Sequence, residues 1–164
     1  MAYVTDGKIG VKLDLATSVA QYALGTIVQA TDGSVFEYIY AQEALSQYGV
    51  VAIYAGGSAR LMETSIATAA GELKATKLAA VQVSIASGYY GWAQRQGKIV
   101  FNVADDCAAG ALLFTTSTAG VVDDATVSGA LVLGLYLTTT SSLATAMTGN
   151  ANIPMSIYLY QNPA

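Results

Sequence analysis

"GYYGWAQRQGKIVFNV", residues 88–103, holds the chain's only Trp beside two Tyr, then sets down Arg95 and Lys98, two of its seven cations. Its second half, KIVFNV (98–103), is rich in β-branched and aromatic residues and reads as a strand. The first half reads as the approach to that strand, with Gly88 and Gly91 relieving backbone crowding. Tyr89, Tyr90, Trp92 and Arg95 admit three uses. Aromatics beside a cation can stack sugar rings or bases. Trp, Tyr and Arg are also enriched at subunit contacts. The plainest use is to fill the core between sheets. The residues favour core or interface anchors over a ligand platform.

Working outward, seven further runs have the same strand character: TIVQA (26–30), SVFEYIYA (34–41), VVAIYA (50–55), AAVQVSIAS (79–87), ALLFTT (111–116), ALVLGLYLT (130–138) and PMSIYLYQ (154–161). In VQVSIAS, Val81, Val83 and Ile85 alternate with Gln82, Ser84 and Ala86. TDG (31–33) is the strongest hairpin signal, Gly33 permitting a positive φ. YAGGSA (54–59) and TSTAG (116–120) are further loops, and AQEALSQ (41–47) and METSIATAAGEL (62–73) are candidate short helices. Short strands at regular spacing with glycine turns predict an all-β fold, a compact β-barrel or β-sandwich single domain with short helical turns. Residues 1–24 form an N-terminal arm or first strand, and 25–164 the β-rich domain. There is also an internal echo. YAQEALSQYGVVAI (40–53) and FNVADDCAAGALLF (101–114) share a plan at an offset of 61, which aligns Gly49 with Gly110.

Composition narrows function. The chain has 164 residues, 54% of them hydrophobic and 11% charged, and no charge at all after Asp124. A chain this short cannot bury that much apolar surface alone, so contact with other chains is expected, first with copies of itself. GALVLGLYL (129–137) is too short to span a membrane, and the amino terminus lacks the layout of a secretion signal. A single Cys rules out an internal disulfide, and a net charge of −4 gives no footprint for nucleic acid.

Chemistry is sparse. Without His there is no triad and no common general base. Cys107 has no His partner and reads as a small turn residue. Asp105, Asp106, Asp123 and Asp124 form two acidic pairs that lack the spacing of a calcium loop and read as turn residues. AGGSAR (55–60) lacks the pattern of a phosphate loop. The expectation is no enzyme, no cofactor, no metal and no small-molecule substrate.

The order of several short motifs resembles the head decoration, or cement, proteins of tailed bacteriophages. They are Leu24-Gly25, then Asp32-Gly33-Ser34; Tyr90-Gly91-Trp92 with Gln94 and Gly97; and Ala109-Gly110 with Leu112 and Leu113. The resemblance covers roughly residues 22–135 and has no counterpart for 56–80. It implies a β-barrel or β-tulip-like domain, a homotrimer, seated on the outer surface of a capsid and bound to the major capsid protein. It implies a virion protein made in the host cytoplasm, without enzyme activity. An N-terminal arm in such proteins contacts the shell, which here points to Tyr3, Lys8, Lys12, Leu13 and Leu15. Two alternatives stand beside it: another virion component, such as a head-fibre base, minor coat or tail protein, and a small carbohydrate- or surface-binding module built on Tyr89, Tyr90 and Trp92.

Overall fold

The stretch at residues 88–103 is a single strand. In the computed structural model, which describes residues 2–4, 10–68, 77–125 and 130–158, β7 runs from Tyr90 to Val103 over 14 residues. The strand expected at Lys98 therefore starts eight positions earlier. Polar AQRQ stays in the ladder because its buried member is satisfied: the Gln94 amide donates to the carbonyls of Gln96 (3.2 Å) and Lys98 (2.8 Å). Gly97 (φ 101°) lets β7 pass directly against Ser34, where a side chain would collide.

Around this strand lie β1 (Ala2–Val4), β2 (Ile27–Ala30), β3 (Val35–Ala41), β4 (Val50–Ile53), β5 (Ser58–Leu61), the helix α1 (Thr64–Thr68) and β6 (Lys77–Val81). After it come β8 (Leu113–Thr115), β9 (Val121–Asp123), β10 (Leu131–Leu137) and β11 (Thr145–Tyr158). The fold is nearly all β, with 47% of residues in strands and 3% in helix, and forms one compact domain around a closed five-stranded barrel. That barrel runs β3–β5–β4–β6–β7 and back to β3, parallel only at β3–β5. The predicted TDG turn joins β2 to β3, with Gly33 at φ 86° and the Ala30 N–H donating to Ser34 O at 2.8 Å.

The pairings close a second ring with the same pattern: β7–β9–β8–β10–β11 and back to β7, parallel only at β7–β9. Strand β7 is the last stave of the first ring and the first of the second. The registers match pair by pair. Ala41 faces Ala59 where Val103 faces Val122, and Val51 faces Ala79 where Leu113 faces Val132. Each ring is filled by the same positions. Ile39, Ala41, Leu45, Val51, Ala59 and Ala79 fill the first, and Phe101, Val103, Cys107, Leu113, Val122 and Val132 the second. All of these side chains are at most 2% exposed, and closure leaves an edge only where a strand runs past the end of its neighbour.

The internal echo is therefore structural, with one adjustment. The registers set the offset between the first strands at 62, so Gly110 corresponds to Tyr48 rather than Gly49.

Several sequence readings change. The loop read over YAGGSA (54–59) and AGGSAR (55–60) ends at Gly57, because Ser58, Ala59 and Arg60 belong to β5 and pair with β4 or β3. AQEALSQ (41–47) is the last residue of β3 followed by a loop, not a helix: Leu45 exchanges backbone hydrogen bonds with Ile85 (2.8 and 2.9 Å), which commits it to a cross-loop pair. The same pair ends β6 at Val81, so the alternation read through Ile85 continues past the strand into a loop. Of METSIATAAGEL, Thr64–Thr68 is helical and 69–73 lie outside the described residues. Part of the charge-free third fills the second ring, yet Thr138, Thr139, Thr140 and Leu143 are exposed.

Candidate functional site

The Trp stretch builds a third core, on the outside of the first barrel. Side chains of a strand alternate faces: Ile39 and Ala93 point inward, while Phe36, Tyr38 and Trp92 point outward. Residues 11–22 lie over these outward rings. Val11 is buried with them and Leu13 packs on them. Thr17 exchanges backbone hydrogen bonds with Tyr90 (2.9 and 2.8 Å), and the Gln21 N–H donates to Tyr38 Oη at 3.0 Å.

The ring geometry is that of a packed wall. Tyr38 and Trp92 have centroids 4.9 Å apart and tilted, Tyr22 meets both at 5.2 and 5.3 Å, and Tyr90 stacks on Tyr38 at 6.2 Å. Trp92 is 2% exposed and offers no face to a ligand, whereas Tyr89 and Tyr22 are each 39% exposed.

Arg95 belongs to a different group. Its guanidinium donates to Glu37 Oε2 at 3.0 Å, and Lys77 Nζ donates to Glu37 Oε1 at 2.9 Å. Glu37, Lys77 and Arg95 share the inward face with Ile39, Ala79 and Ala93, so this ion group closes one mouth of the first barrel. Leu45 and Ile85 plug the other. Glu37 is 1% exposed, and both its oxygens are taken by charged donors, which leaves neither free to act as base or nucleophile. Sequence reasoning missed Glu37. Its only signal is one acid in the apolar run VFEYIYA.

The residues assigned to a shell-contacting arm separate. Lys12 and Leu15 are exposed, Leu13 packs against the third core, and Tyr3 pairs with Gln29 in β1–β2. Lys8 lies outside the described residues.

Cys107 is the second barrel's counterpart of Leu45, buried in its core. Burial pushes its thiol up to about 11, reinforced by the hydrogen bond and negative charge of Asp123 and opposed by a backbone hydrogen bond at Asp124. The S–H lies 3.4 Å from Asp123 Oδ1, and Asp124 Oδ2 accepts the Ala108 N–H at 2.8 Å. One ligand atom from each of Cys107, Asp123 and Asp124 lies within 4.8 Å of the others. These hydrogen bonds give all three a structural use, and a protonated thiol is a poor metal ligand. Asp105 and Asp123 line a shallow depression of about 490 Å³ with Thr118, Ala144 and Thr145.

No family model, curated protein or solved structure matches the chain.

Proposed function

We propose that this chain is a non-enzymatic structural virion protein that binds the outer surface of a phage capsid as a trimer and stabilises the shell. The observation carrying this reading is uncovered apolar surface. Val19, Leu112 and Leu143 are 67%, 65% and 69% exposed, and Leu15, Leu24 and Ile27 are more than 39% exposed. Large apolar side chains left this open to water are surface that protein partners would cover.

The residues that resemble decoration proteins also serve architecture. The Gly25 N–H donates to Tyr38 O at 2.9 Å, Asp32 Oδ1 accepts the Ser34 N–H at 2.9 Å, Gly97 admits Ser34, and Trp92 lies against Tyr38. A cement protein needs such a rigid body and no pocket. Whatever binds the assembled lattice but not its free subunits stabilises assembly by mass action, and attachment at several points multiplies modest contacts.

Light scattering on the purified chain, with co-sedimentation on phage heads stripped of their decoration protein, tests this. A trimer that coats the heads and raises their disruption temperature supports it. A monomer that leaves them bare sinks it. Labelling of intact virions separates a head protein from a tail component.

A further inference from the structure

The two barrels differ at one end in a way that their equivalence exposes. In the first, β6 leaves the sheet after Val81, and the edge of β7 beyond it is taken by Thr17 through two hydrogen bonds to Tyr90. In the second, β10 ends at Leu137, and Thr138 makes the last contact with β11, at Thr148 O. The counterpart of Tyr90 is Ala146, which faces Asn102 as Tyr90 faces Tyr40.

The Asn102 N–H turns away from β11 to donate to Tyr48 O at 2.9 Å. Asn102 and Ala146 are therefore a pair without mutual hydrogen bonds, and the N–H and C=O of Ala146 face the outer edge. Among the described residues nothing occupies the place that Thr17 fills in the first barrel. Leu112 and Leu143, two of the most exposed large hydrophobic residues described, belong to the loops at this same end.

We infer that this open end of the second barrel docks a second copy of the chain, receiving the outward strip of residues 15–24 along the edge at Ala146. The occupant follows from three observations. The same chain already supplies one residue of this strip, Thr17, as a bridge to the edge at the equivalent place of its first barrel, so an edge of this kind is already met once by this stretch. That segment presents Leu15, Val19 and Leu24 outward, an apolar complement to Leu112 and Leu143. Finally, its own strip cannot reach. Tyr90 and Val103 mark opposite ends of β7, 14 residues long, so the strip and the open end lie about 40 Å apart.

The contact joins two different surfaces, so a bound pair keeps one of each free for the next copy, and the arrangement becomes a ring when the rotation between copies closes. This goes beyond the proposed function: it holds whether or not the ring sits on a capsid.

The test uses the full chain and three variants, Leu143→Asp, Val19→Asp and Ala146→Pro. The first two change exposed side chains, and the third removes the outward N–H but is read beside them, since its ring also fixes φ and crowds Thr145. Sedimentation velocity is expected to show the unaltered chain as an oligomer and each variant at least tenfold weaker in association, with unchanged circular dichroism. Mixing Leu143→Asp with Val19→Asp is expected to restore a dimer and nothing larger, because one intact strip then meets one intact open end. The inference is overturned by a monomeric unaltered chain, by an oligomer indifferent to Leu143→Asp and Val19→Asp, or by a mixture that stays monomeric. A monomer that captures a different protein at Leu143 overturns it as well.

Discussion

Tyr48 and Gly88 hold the same left-handed backbone, at φ 63° and 80°, at the same step of two loops that pair across the first barrel. Each N–H reaches the last residue of the opposite strand, Val81 at 2.7 Å and Ala41 at 2.8 Å. Gly110, at φ 72°, repeats the contact in the second barrel with Leu137 O at 3.0 Å. A left-handed backbone costs a residue with a Cβ about 1–2 kcal/mol. Glycine gives back about 0.5–1 kcal/mol of that in chain entropy. Tyr48→Gly should therefore raise unfolding free energy by up to about 1 kcal/mol. Gly88→Ala and Gly110→Ala should lower it by about 1 kcal/mol, since a Cβ at either meets nothing within 4 Å. Urea unfolding measures all three; a large loss in Tyr48→Gly would mean that the Tyr side chain, not the backbone, holds the loop.

That relationship also marks where the sequence stops being readable. Strand character shows wherever β-branched and aromatic residues dominate, as in VFEYIYA and LVLGLYL, because those residues suit a half-buried pleat. Ring closure does not show. It depends on β5 (SARL) and β9 (VVD), too short for a period and carrying charges besides. The echo is visible but slips by one position, since Gly49 resembles Gly110 while the true counterpart is a tyrosine held at positive φ. The ion group at Glu37 is invisible because its partners stand 40 and 58 positions away and nothing local announces them.

Glu37 should be far more sensitive than Lys77. Replacing one partner of a buried pair strands the other charge, at a cost of about 3–5 kcal/mol. Glu37→Gln leaves Arg95, whose side chain is 15% exposed and whose Nε already lacks a partner, facing an amide. A loss of several kcal/mol is expected by denaturant unfolding. Lys77→Ala should cost about 1 kcal/mol or less, because its side chain is 48% exposed and water replaces the contact. Equal losses in the two variants would contradict this arrangement.

Trp92→Ala separates a wall from a ligand platform. The side chain is 2% exposed and packed against Tyr38 and Tyr22, so truncation should cost about 3–5 kcal/mol. Trp92→Phe keeps a ring and should cost less. The measurement is thermal unfolding beside polysaccharide binding. Unchanged stability with abolished binding would restore the carbohydrate reading.

Cys107 should make stability fall in alkali. Its thiol is raised to about 11 in the folded chain, from an ordinary value of 9.0, so the folded state favours the neutral form. Below pH 9 both states hold the proton and the contribution is fully present. Between pH 9 and 11 the unfolded chain releases a proton that the folded chain keeps, which favours unfolding by up to about 1.4 kcal/mol per pH unit. Cys107→Ala removes that dependence while sharing every tyrosine and lysine titration with the unaltered chain. The stability difference between the two should stay flat from pH 6 to 8, then shift against the unaltered chain as pH climbs to 10.5. At pH 8 the native thiol should also resist a disulfide reagent that labels it at once in urea. Rapid native labelling, or a pH-independent difference, would place Cys107 at the surface rather than in the position that Leu45 occupies in the first barrel.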